Sequence, residues 1–389
     1  MVANEKWFGA SAGFYPETID QSLRFEDGDS PYLLRTPSST GNRKTWTVSC
    51  WLKIGNTGLT SNIISVFQSA SPNQQVVIRF YQDKLYLYDF AGAYLISTNR
   101  VFRDTTNWYH MVWRFDSTQS TASERIKLYI NGTQETDLND NSYPSLNHDS
   151  LWNHTNKHLI GARTDNSTPT PIQEFDGYLA EFNLVDGQAL GPESFGELKN
   201  GTWIPKSLSS ISYGTNGFRL TFADSSSLGD DTSGNGNDFT SSGLASTDVV
   251  TDSPTNNFCT LNRLNEFASR GYMSLSEGNL KSTASGSPNQ NRGWKSTFAM
   301  SSGKWYWEVY FNSSSSDNNG GIGVSGSTNN NITPGEGNDS GFRYMDFGDL
   351  VFNGSNQGTI QSISATDIVM VAVDIDNSKA WVGKNGSWF

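Results

Sequence analysis

The sequence predicts an all-β protein built from two antiparallel β-sandwiches. Apolar and polar residues alternate with a period of two in many short segments, and a helical period is nearly absent. Turn-forming dipeptides such as Asn-Gly follow several of these segments. Aromatic residues make up 13% of the 389 residues, with 12 Trp and 22 Phe, so the chain can build real cores although only 35% of its residues are hydrophobic.

The first strand signal lies in Thr45–Lys53, where Trp46, Val48, Cys50 and Leu52 share one face. The other face carries Thr47, Ser49 and Trp51, so we expect this strand to be half-buried. Val76–Phe90 predicts a hairpin that turns at Gln82-Asp83 and places Leu85 and Leu87 opposite Tyr86 and Tyr88. Further strands are predicted in Trp108–Phe115, in Arg125–Ile130 before the Asn131-Gly132 turn, and in Gly177–Val185. A short helix is predicted at Pro192–Glu197.

The pattern changes in the middle of the chain. Apolar residues thin out after Asp224, and Lys281–Asn291 holds only small and polar residues after its lysine. Alternation returns in Lys304–Phe311, and later strands are predicted in Asp367–Asp374 and Lys379–Lys384. We therefore divide the chain into an N-terminal arm (1–20), a first sandwich (21–222), an irregular connection (223–293) and a second sandwich (294–389).

Three segments resemble the laminin-G-like, concanavalin-type jelly roll. They are Ser22–Leu33, Trp108–Val112 and Lys127–Gly132, and Phe175–Phe182 is similar to the last inner strand of that family. The resemblance covers roughly residues 20–190 and implies that residues 21–222 form such a jelly roll.

Residues 294–389 resemble a SPRY domain through Gly303–Val309, Gly321–Val324 and Asp374–Gly386. The family pattern would continue with further strands after Phe389. We therefore expect a C-terminally incomplete sandwich, whose last pairing comes from a longer natural chain or from a neighbouring subunit.

Four segments resemble structural proteins of marine tailed phages in their amino-acid sequence. They are Arg35–Ser39, Gly41–Trp46, Val185–Leu190 and Thr251–Asn257. This resemblance implies a virion component that contacts other virion proteins, and we also expect a homo-oligomer. The first ten residues lack a basic stretch followed by an apolar one, so we expect a location on the particle surface that is reached without a signal peptide.

Charge and composition disfavour several functions. A net charge of −12 repels a phosphate backbone, and no run is long and apolar enough for a membrane span. Cys50 and Cys259 are expected to be free thiols. Asp374 and Asp376 have the spacing of a carboxylate pair but lie beside a turn, so we name no catalytic residue and expect a protein without enzymatic activity.

The densest set of oxygen ligands is the segment Asp230–Asp238. Its candidate calcium ligands are Asp230, Asp231, Asn235, Asn237 and Asp238. The alternative is a turn held by its own Asp and Asn side chains.

Candidate ligand-binding residues are Tyr94 and Trp152, two aromatic residues in polar segments, together with His154. In the arm, Trp7, Phe8, Phe14 and Tyr15 are candidate anchors to the particle or to a sister subunit. The alternative for the arm is packing on its own domain.

These patterns favour a virion fibre, spike or appendage whose sandwich loops bind a host-surface glycan or protein. A decoration protein without a receptor is the second hypothesis, and a carbohydrate-active enzyme is the third.

Overall fold

The computed structural model describes residues 14–69, 74–165, 170–268, 273–284, 292–312, 320–326 and 341–389. These residues form antiparallel sheets and four 3-10 helices, with no α-helix among them, so the all-β prediction is confirmed. None of these helices has the length and apolar character to cross a membrane. The chain divides into two compact units, Met1–Phe258 and Cys259–Phe389.

The first unit contains the strands β1 (Ser22–Phe25), β2 (Tyr32–Arg35), β3 (Thr45–Ile54), β4 (Ser61–Ser69), β5 (Gln74–Tyr81), β6 (Lys84–Asp89), β7 (Leu95–Val101), β8 (Tyr109–Asp116), β9 (Ile126–Ile130), β10 (Thr133–Gln134), β11 (Leu138–Ser142), β12 (Lys157–Ile160), β13 (Arg163–Thr164), β14 (Pro171–Ile172), β15 (Gly177–Asp186), β16 (Gly196–Lys199), β17 (Thr202–Pro205), β18 (Phe218–Leu220), β19 (Thr240–Ser242) and β20 (Val249–Val250). Its 3-10 helices are Asp27–Asp29, Ala122–Glu124, Pro192–Ser194 and Ser246–Asp248.

Two eight-stranded sheets face each other in this unit. Sheet A has the order β10-β9-β8-β3-β15-β1-β20, with β18 paired to β15, and sheet B has the order β11-β7-β6-β5-β4-β12-β2-β19. The hairpins β13–β14 and β16–β17 lie outside both sheets. Within the core, the Trp46 ring stacks on Phe115 with centroids 4.8 Å apart. Each fully buried side chain of this size contributes about 1.5–3 kcal/mol.

The predicted turns and strands of this unit are confirmed. Gln82 and Asp83 have φ values of 51° and 61°, and Asn131 and Gly132 have 48° and 77°. Two successive positive φ values are the geometry of a type I′ hairpin turn, which Asn and Gly adopt at low cost. The helix predicted at Pro192–Glu197 is a single 3-10 turn, Pro192–Ser194, followed directly by β16.

The prediction that β3 is half-buried is wrong, because both of its faces are covered. Trp46 and Val48 point into the core, whereas Trp51 is buried on the other face against Ile19 and Tyr178. Segments 14–20 and 188–213 lie against this outer face of sheet A. Periodicity within β3 could not reveal this cover, since it comes from distant parts of the chain.

The structure differs from the predicted irregular connection over 223–293. β19 pairs with β2 and β20 pairs with β1, so each extends a sheet of the first unit at its edge. Leu228 and Phe239 are buried in the core of that unit. The boundary between the units falls after Phe258. β19 is short and polar and β20 has only two residues, so neither shows the alternation that predicts a strand.

A buried ion pair holds the end of the first unit. The Nζ atom of Lys53 lies 2.8 Å from Oδ2 of Asp252, and the two side chains are 1% and 4% exposed. The same ammonium group donates to Oδ1 of Asn257 at 2.8 Å and to the carbonyl of Phe258 at 2.9 Å. Trp108 donates its indole N–H to Oδ1 of Asp252 at 3.0 Å. Both charges are therefore paired and hydrogen-bonded, as buried charges require.

The second unit contains the strands β21 (Leu261–Ala268), β22 (Met273–Ser276), β23 (Lys281–Ala284), β24 (Arg292–Ser296), β25 (Lys304–Tyr310), β26 (Gly321–Val324), β27 (Phe342–Met345), β28 (Asp349–Phe352), β29 (Ser355–Thr359), β30 (Ile368–Asp374), β31 (Lys379–Lys384) and β32 (Ser387–Trp388). Two of its sheets have four strands each, in the orders β25-β30-β31-β32 and β26-β27-β28-β29. β21 pairs with β24, and β22 pairs with β23.

The two four-stranded sheets share a core. Val369, Val371 and Val373 of β30 contact Phe342 and Tyr344 of β27 in one apolar cluster. This second sandwich agrees with the strands predicted from the sequence. The thiols of Cys50 in the first unit and Cys259 in the second are free, as predicted.

Replacing Lys53 with Met should lower the free energy of unfolding by about 3–5 kcal/mol, because Asp252 then keeps a buried charge without a counter-charge. Thermal and urea unfolding would measure this loss. The double variant Lys53→Met/Asp252→Asn should recover part of it. Arg103→Met is the matched control, since Arg103 pairs with Asp83 but is 59% exposed, and it should cost less than about 1 kcal/mol. Equal losses in the two single variants would contradict the role of burial.

Candidate functional site

Two predicted ligand-binding residues, Tyr94 and Trp152, are core residues. Trp152 is 0% and Tyr94 is 1% exposed. The Trp152 ring lies 4.9 Å from that of Trp46, and the Tyr94 ring lies 5.7 Å from that of Phe115. The prediction that these rings are exposed is therefore wrong.

The prediction for Trp152 rested on the polar residues beside it in the sequence. Ser150 accepts the indole N–H of Trp46 on its hydroxyl at 3.1 Å, and Asn153 donates its side-chain amide to the carbonyl of Asn42 at 2.8 Å. These side chains hold the loop by hydrogen bonds while the indole between them enters the core. A polar sequence context thus reflected the hydrogen-bonding needs of the loop and not its exposure.

His154 and His158 follow Trp152 closely in the chain and differ in burial. His154 is partly exposed, and its Nδ1 lies 3.4 Å from the Thr155 hydroxyl. His158 is buried, with Nδ1 2.9 Å from the carbonyl of Asn156, and burial lowers its pKa to about 4. His154 therefore stays a candidate ligand-binding residue, whereas Tyr94 and Trp152 are buried in the core.

The predicted calcium loop is organised around the Asp231 carboxylate. One of its oxygens accepts the backbone N–H groups of Arg219 and Ser233, each at 2.9 Å. The other accepts the backbone N–H of Asn237 at 2.8 Å and the Ser233 hydroxyl at 2.9 Å. Asp238 accepts the backbone N–H of Asp231 at 2.9 Å. Both oxygens of the central carboxylate are thus used within the loop.

The remaining predicted ligands hold the same loop together. The side-chain amides of Asn235 and Asn237 both donate to the carbonyl of Gly217, at 2.9 and 2.8 Å. The guanidinium of Arg35 donates to Oδ1 of Asn237 and is attracted by nearby carboxylates. Asp230 is exposed at the rim. This arrangement favours the Asp/Asn turn over a calcium site.

Three other carboxylates come together in the first unit. One ligand oxygen from each of Glu26, Asp27 and Asp176 lies within 4.8 Å of the other two. They lie just after β1 and just before β15, which pair with each other. Such an oxygen set could hold a hard cation. Sequence reasoning missed this group because its members are distant in the chain.

The described end of the arm packs on its own unit. Ile19 is buried, and its backbone N–H and carbonyl both bond to the Thr255 hydroxyl, at 3.0 and 2.8 Å. Phe14 and Tyr15 are partly buried, and the Lys199 ammonium lies 5.6 Å from the centre of the Phe14 ring. This packing agrees with the alternative that the arm packs on its own domain. Trp7 and Phe8 lie outside the described residues.

A buried Ser49–His110 pair has the composition of a nucleophile and its base but not the required protonation. Nε2 of His110 lies 2.9 Å from the Ser49 hydroxyl, and Nδ1 accepts the indole N–H of Trp203 at 2.9 Å. Because the indole can only donate, the ring proton is on Nε2 and points at Ser49. Burial lowers the pKa of His110 to about 3. The pair therefore binds the β16–β17 hairpin to sheet A.

The carboxylates of Asp374 and Asp376 in the second unit hold the turn between β30 and β31. Asp374 accepts both the backbone N–H and the side-chain amide of Asn377, at 3.1 and 2.9 Å. Asp376 accepts the backbone N–H of Gly303 at 3.0 Å. This role in a turn agrees with the reading of the sequence.

A partly exposed group of aromatic rings surrounds one guanidinium on the outer face of sheet B. The Arg79 Cζ atom lies 5.2, 5.9, 5.7 and 5.5 Å from four ring centres, those of Tyr81, Tyr86, Tyr88 and Phe90. The Arg163 Cζ atom, from the β13–β14 hairpin, lies 5.4 Å from the Phe90 ring. We call these six residues the aromatic–arginine cluster.

Alternation explains why the cluster faces outwards. Ile78 and Phe80 of β5, and Leu87 of β6, fill the core, so Arg79 and Tyr86 take the opposite face, where they are cross-strand neighbours. The alternation in the sequence predicts that the leucines and the tyrosines of β6 lie on opposite faces of the strand. It could not place Arg163 beside them, because β13 joins the cluster only through the tertiary fold.

The second unit has its own exposed aromatic surface. Tyr306 of β25, Trp381 of β31 and Trp388 of β32 are exposed, and the Tyr306 and Trp388 rings lie 6.0 Å apart. Tyr306 donates its hydroxyl to Glu308, and partial burial together with that carboxylate raises the pKa of Tyr306 to about 12. Like the aromatic–arginine cluster, this surface carries aromatic rings. Its charged neighbour is a carboxylate, whereas the cluster has two arginines.

Residues 27–194 match the family model of the concanavalin A-like lectin/glucanases superfamily. No curated protein sequence matches the chain. The matched segment includes β2 to β15 and the whole aromatic–arginine cluster. It carries a laminin-G-like, concanavalin-type domain, as its resemblance predicted.

Three solved structures that match the chain have TM-scores of 0.34 to 0.40. A protein from Bacteroides ovatus, provisionally described as carbohydrate binding, has 14% identity and a TM-score of 0.40, over 61% of each chain. The chain thus spans 61% of the length of that protein. A pentraxin from Limulus polyphemus has 19% identity and a TM-score of 0.34, over 44% of this chain and 78% of its own. Domains LG4-5 of the mouse laminin α1 chain have 12% identity and a TM-score of 0.36, over 96% and 78%.

Replacing Asp231 with Ala should lower the free energy of unfolding by about 1–3 kcal/mol, because backbone N–H groups lose their acceptor. The loss should be the same in calcium and in chelator, as measured by thermal unfolding. Asp230→Ala is the control, and it should change stability by less than about 0.5 kcal/mol, because Asp230 is exposed. A calcium-dependent rise in the wild-type melting temperature that Asp231→Ala removes would show a metal site instead.

Acid should destabilise the first unit through His110. Its folded pKa is about 3, whereas the unfolded chain takes up the proton near pH 6.5, so stability is retained above pH 6.5 and lost as the pH falls towards 3. The loss should reach about 1.4 kcal/mol per pH unit within that window. His110→Gln should reduce this slope in unfolding experiments. In histidine NMR spectra, titration of the His110 ring near pH 6.5 in the folded protein would contradict the prediction.

Proposed function

We propose that the chain is a non-enzymatic carbohydrate-binding protein, carried on the surface of a virus particle, that holds a host-surface glycan on its aromatic–arginine cluster. The observation that carries this proposal is the set of four rings around the Arg79 guanidinium on the outer face of sheet B. Sugars present C–H faces that pack on aromatic rings, and hydroxyl groups that bond to polar side chains.

The strands that carry the cluster preorganise it for ligand binding. β5 and β6 lie in the interior of sheet B, paired on both sides, so their side chains start from a rigid support. Tyr81 is 38% exposed, which leaves its ring accessible. Tyrosine loses little side-chain freedom on contact, because it has few rotatable bonds. A rigid aromatic surface therefore binds at a low entropic cost.

The composition of the cluster favours binding over hydrolysis. The matched superfamily is named for both lectins and glucanases. A glycosidase places two carboxyl groups about 5–9.5 Å apart across the bond that it cleaves, and none of the six residues of the cluster is acidic. The Ser49–His110 pair is held in the wrong protonation state for a nucleophile. These features support a lectin-like role.

The viral part of the proposal rests on the sequence resemblance of Arg35–Ser39, Gly41–Trp46, Val185–Leu190 and Thr251–Asn257 to structural proteins of marine tailed phages. On a particle, several copies of the chain would act together. Multivalent contact raises overall binding strength well above the affinity of one site, which suits attachment through weak sugar contacts. Other virion proteins and sister subunits are the partners that this role requires.

A glycan array followed by calorimetric titration of the strongest hits tests the proposal. The wild type should bind a defined set of glycans. Tyr86→Ala/Tyr88→Ala should lose about tenfold or more in affinity, because each lost ring removes about 1–1.5 kcal/mol of contact. Tyr32→Ala is the matched control, because Tyr32 lies on β2 of the same sheet, four strands away from β6, and this variant should bind like the wild type.

The other outcomes would overturn the proposal in different ways. No glycan binding in the wild type would indicate a decoration protein without a receptor. Release of oligosaccharides from the bound glycans, followed by mass spectrometry, would indicate an enzyme. Loss of binding in Trp381→Ala, with the Tyr86/Tyr88 variant unaffected, would move the site to the second unit.

A further inference from the structure

The two arginines of the aromatic–arginine cluster place positive charge on an acidic protein. The chain has a net charge of −12, yet neither Arg79 nor Arg163 forms an ion pair within the part of the chain that the structure describes. Asp165 is the nearby acidic residue that attracts Arg163. Arg79 faces tyrosine rings and Arg163, whose positive charge adds to the effect of burial in lowering the Arg79 pKa. The cluster therefore carries excess positive charge.

The two guanidinium groups differ in how many of their N–H donors already form hydrogen bonds. Arg163 gives Nε to Oε1 of Gln173 at 2.7 Å and one terminal nitrogen to the Thr164 carbonyl at 3.1 Å, which fixes its direction. Arg79 has aromatic contacts, and among the described residues its buried Nε has no hydrogen-bond partner. A buried N–H group without an acceptor costs free energy, so the Arg79 guanidinium has hydrogen-bonding capacity that the described residues leave unused.

We infer that the aromatic–arginine cluster binds an acidic saccharide, with its carboxylate or sulfate group on Arg79 and Arg163 and its sugar ring on the tyrosine faces. A guanidinium presents its N–H groups as a planar fork that matches two oxygens of such an anion. The rings of Tyr81 and Tyr86 pack edge to face with centres 5.7 Å apart, next to that fork. The inference rests on the proposed function of the same cluster.

A phosphate backbone presents anionic oxygens too, but the net charge of the chain opposes a long polyanion. A saccharide with isolated acidic groups avoids much of this repulsion, because it brings one anion to one basic site. It also offers the C–H faces that the four rings require. The geometry thus points to a sugar with a local negative charge.

The test compares pairs of oligosaccharides that share a backbone and differ in charge. A uronic acid oligosaccharide, its neutral counterpart and a sulfated counterpart are titrated into the whole chain by calorimetry. The acidic members should bind about tenfold or more tightly than the neutral one, since charge-assisted hydrogen bonds are among the stronger polar contacts. The carboxylate and sulfate arms show which anion the site prefers. Added salt should weaken the acidic members more than the neutral one.

Variants separate the charge from the rings. Arg79→Gln should remove the difference in affinity between the acidic and the neutral member, because the fork that binds the anion is lost. Arg79→Lys keeps the charge without the fork and should lie between them, which also covers failure of the Gln variant to fold. Arg103→Gln, at a more exposed arginine of the same unit, is the matched control and should behave like the wild type.

Equal binding of acidic and neutral members, or unchanged acidic binding in Arg79→Gln, would overturn the inference. If neutral binding still depends on Tyr86 and Tyr88 in that case, the proposed function stands. If no saccharide of either kind binds, the proposed function fails with the inference. Tight binding of a DNA oligonucleotide that Arg79→Gln removes would assign the cluster to a phosphate backbone instead.

Discussion

The buried ion pair between Lys53 and Asp252 decides how the first unit closes. It joins the middle of sheet A to the last residues of the unit, and Trp108 and Asn257 add hydrogen bonds to the same two groups. A buried pair of charges tolerates no alternative partner, because either charge alone is costly away from water. The segment that precedes the unit boundary is therefore fixed in place although it contains little regular structure.

The two sheets of the first unit differ in how their outer faces are covered. Segments 14–20 and 188–213 cover the outer face of sheet A, so Trp51, Val112 and Tyr178 are buried there as if in a second core. On the outer face of sheet B the aromatic rings of β5 and β6 are only partly buried, and Tyr81 is 38% exposed.

Two other groups of reactive residues in the described chain have structural roles. Asp231 holds a loop by its backbone N–H groups, and His110 ties a hairpin to sheet A. In each case the donors and acceptors are already matched within the fold. The aromatic–arginine cluster differs, because Arg79 has rings around it and no matched anion. An unmatched charge beside accessible rings is what a ligand-binding surface requires.

The sequence by itself determined the fold class, most strand positions and the type I′ turns, because these depend on period-two alternation and on local φ preferences. The same alternation assigned the tyrosines of β6 and its core leucines to opposite faces of the strand. Only the tertiary structure decided which aromatic residues are exposed: it buried Tyr94 and Trp152 and brought Arg163 to Arg79. Exposure depends on which distant segment covers a face, and neither alternation nor the polarity of neighbouring residues carries that information.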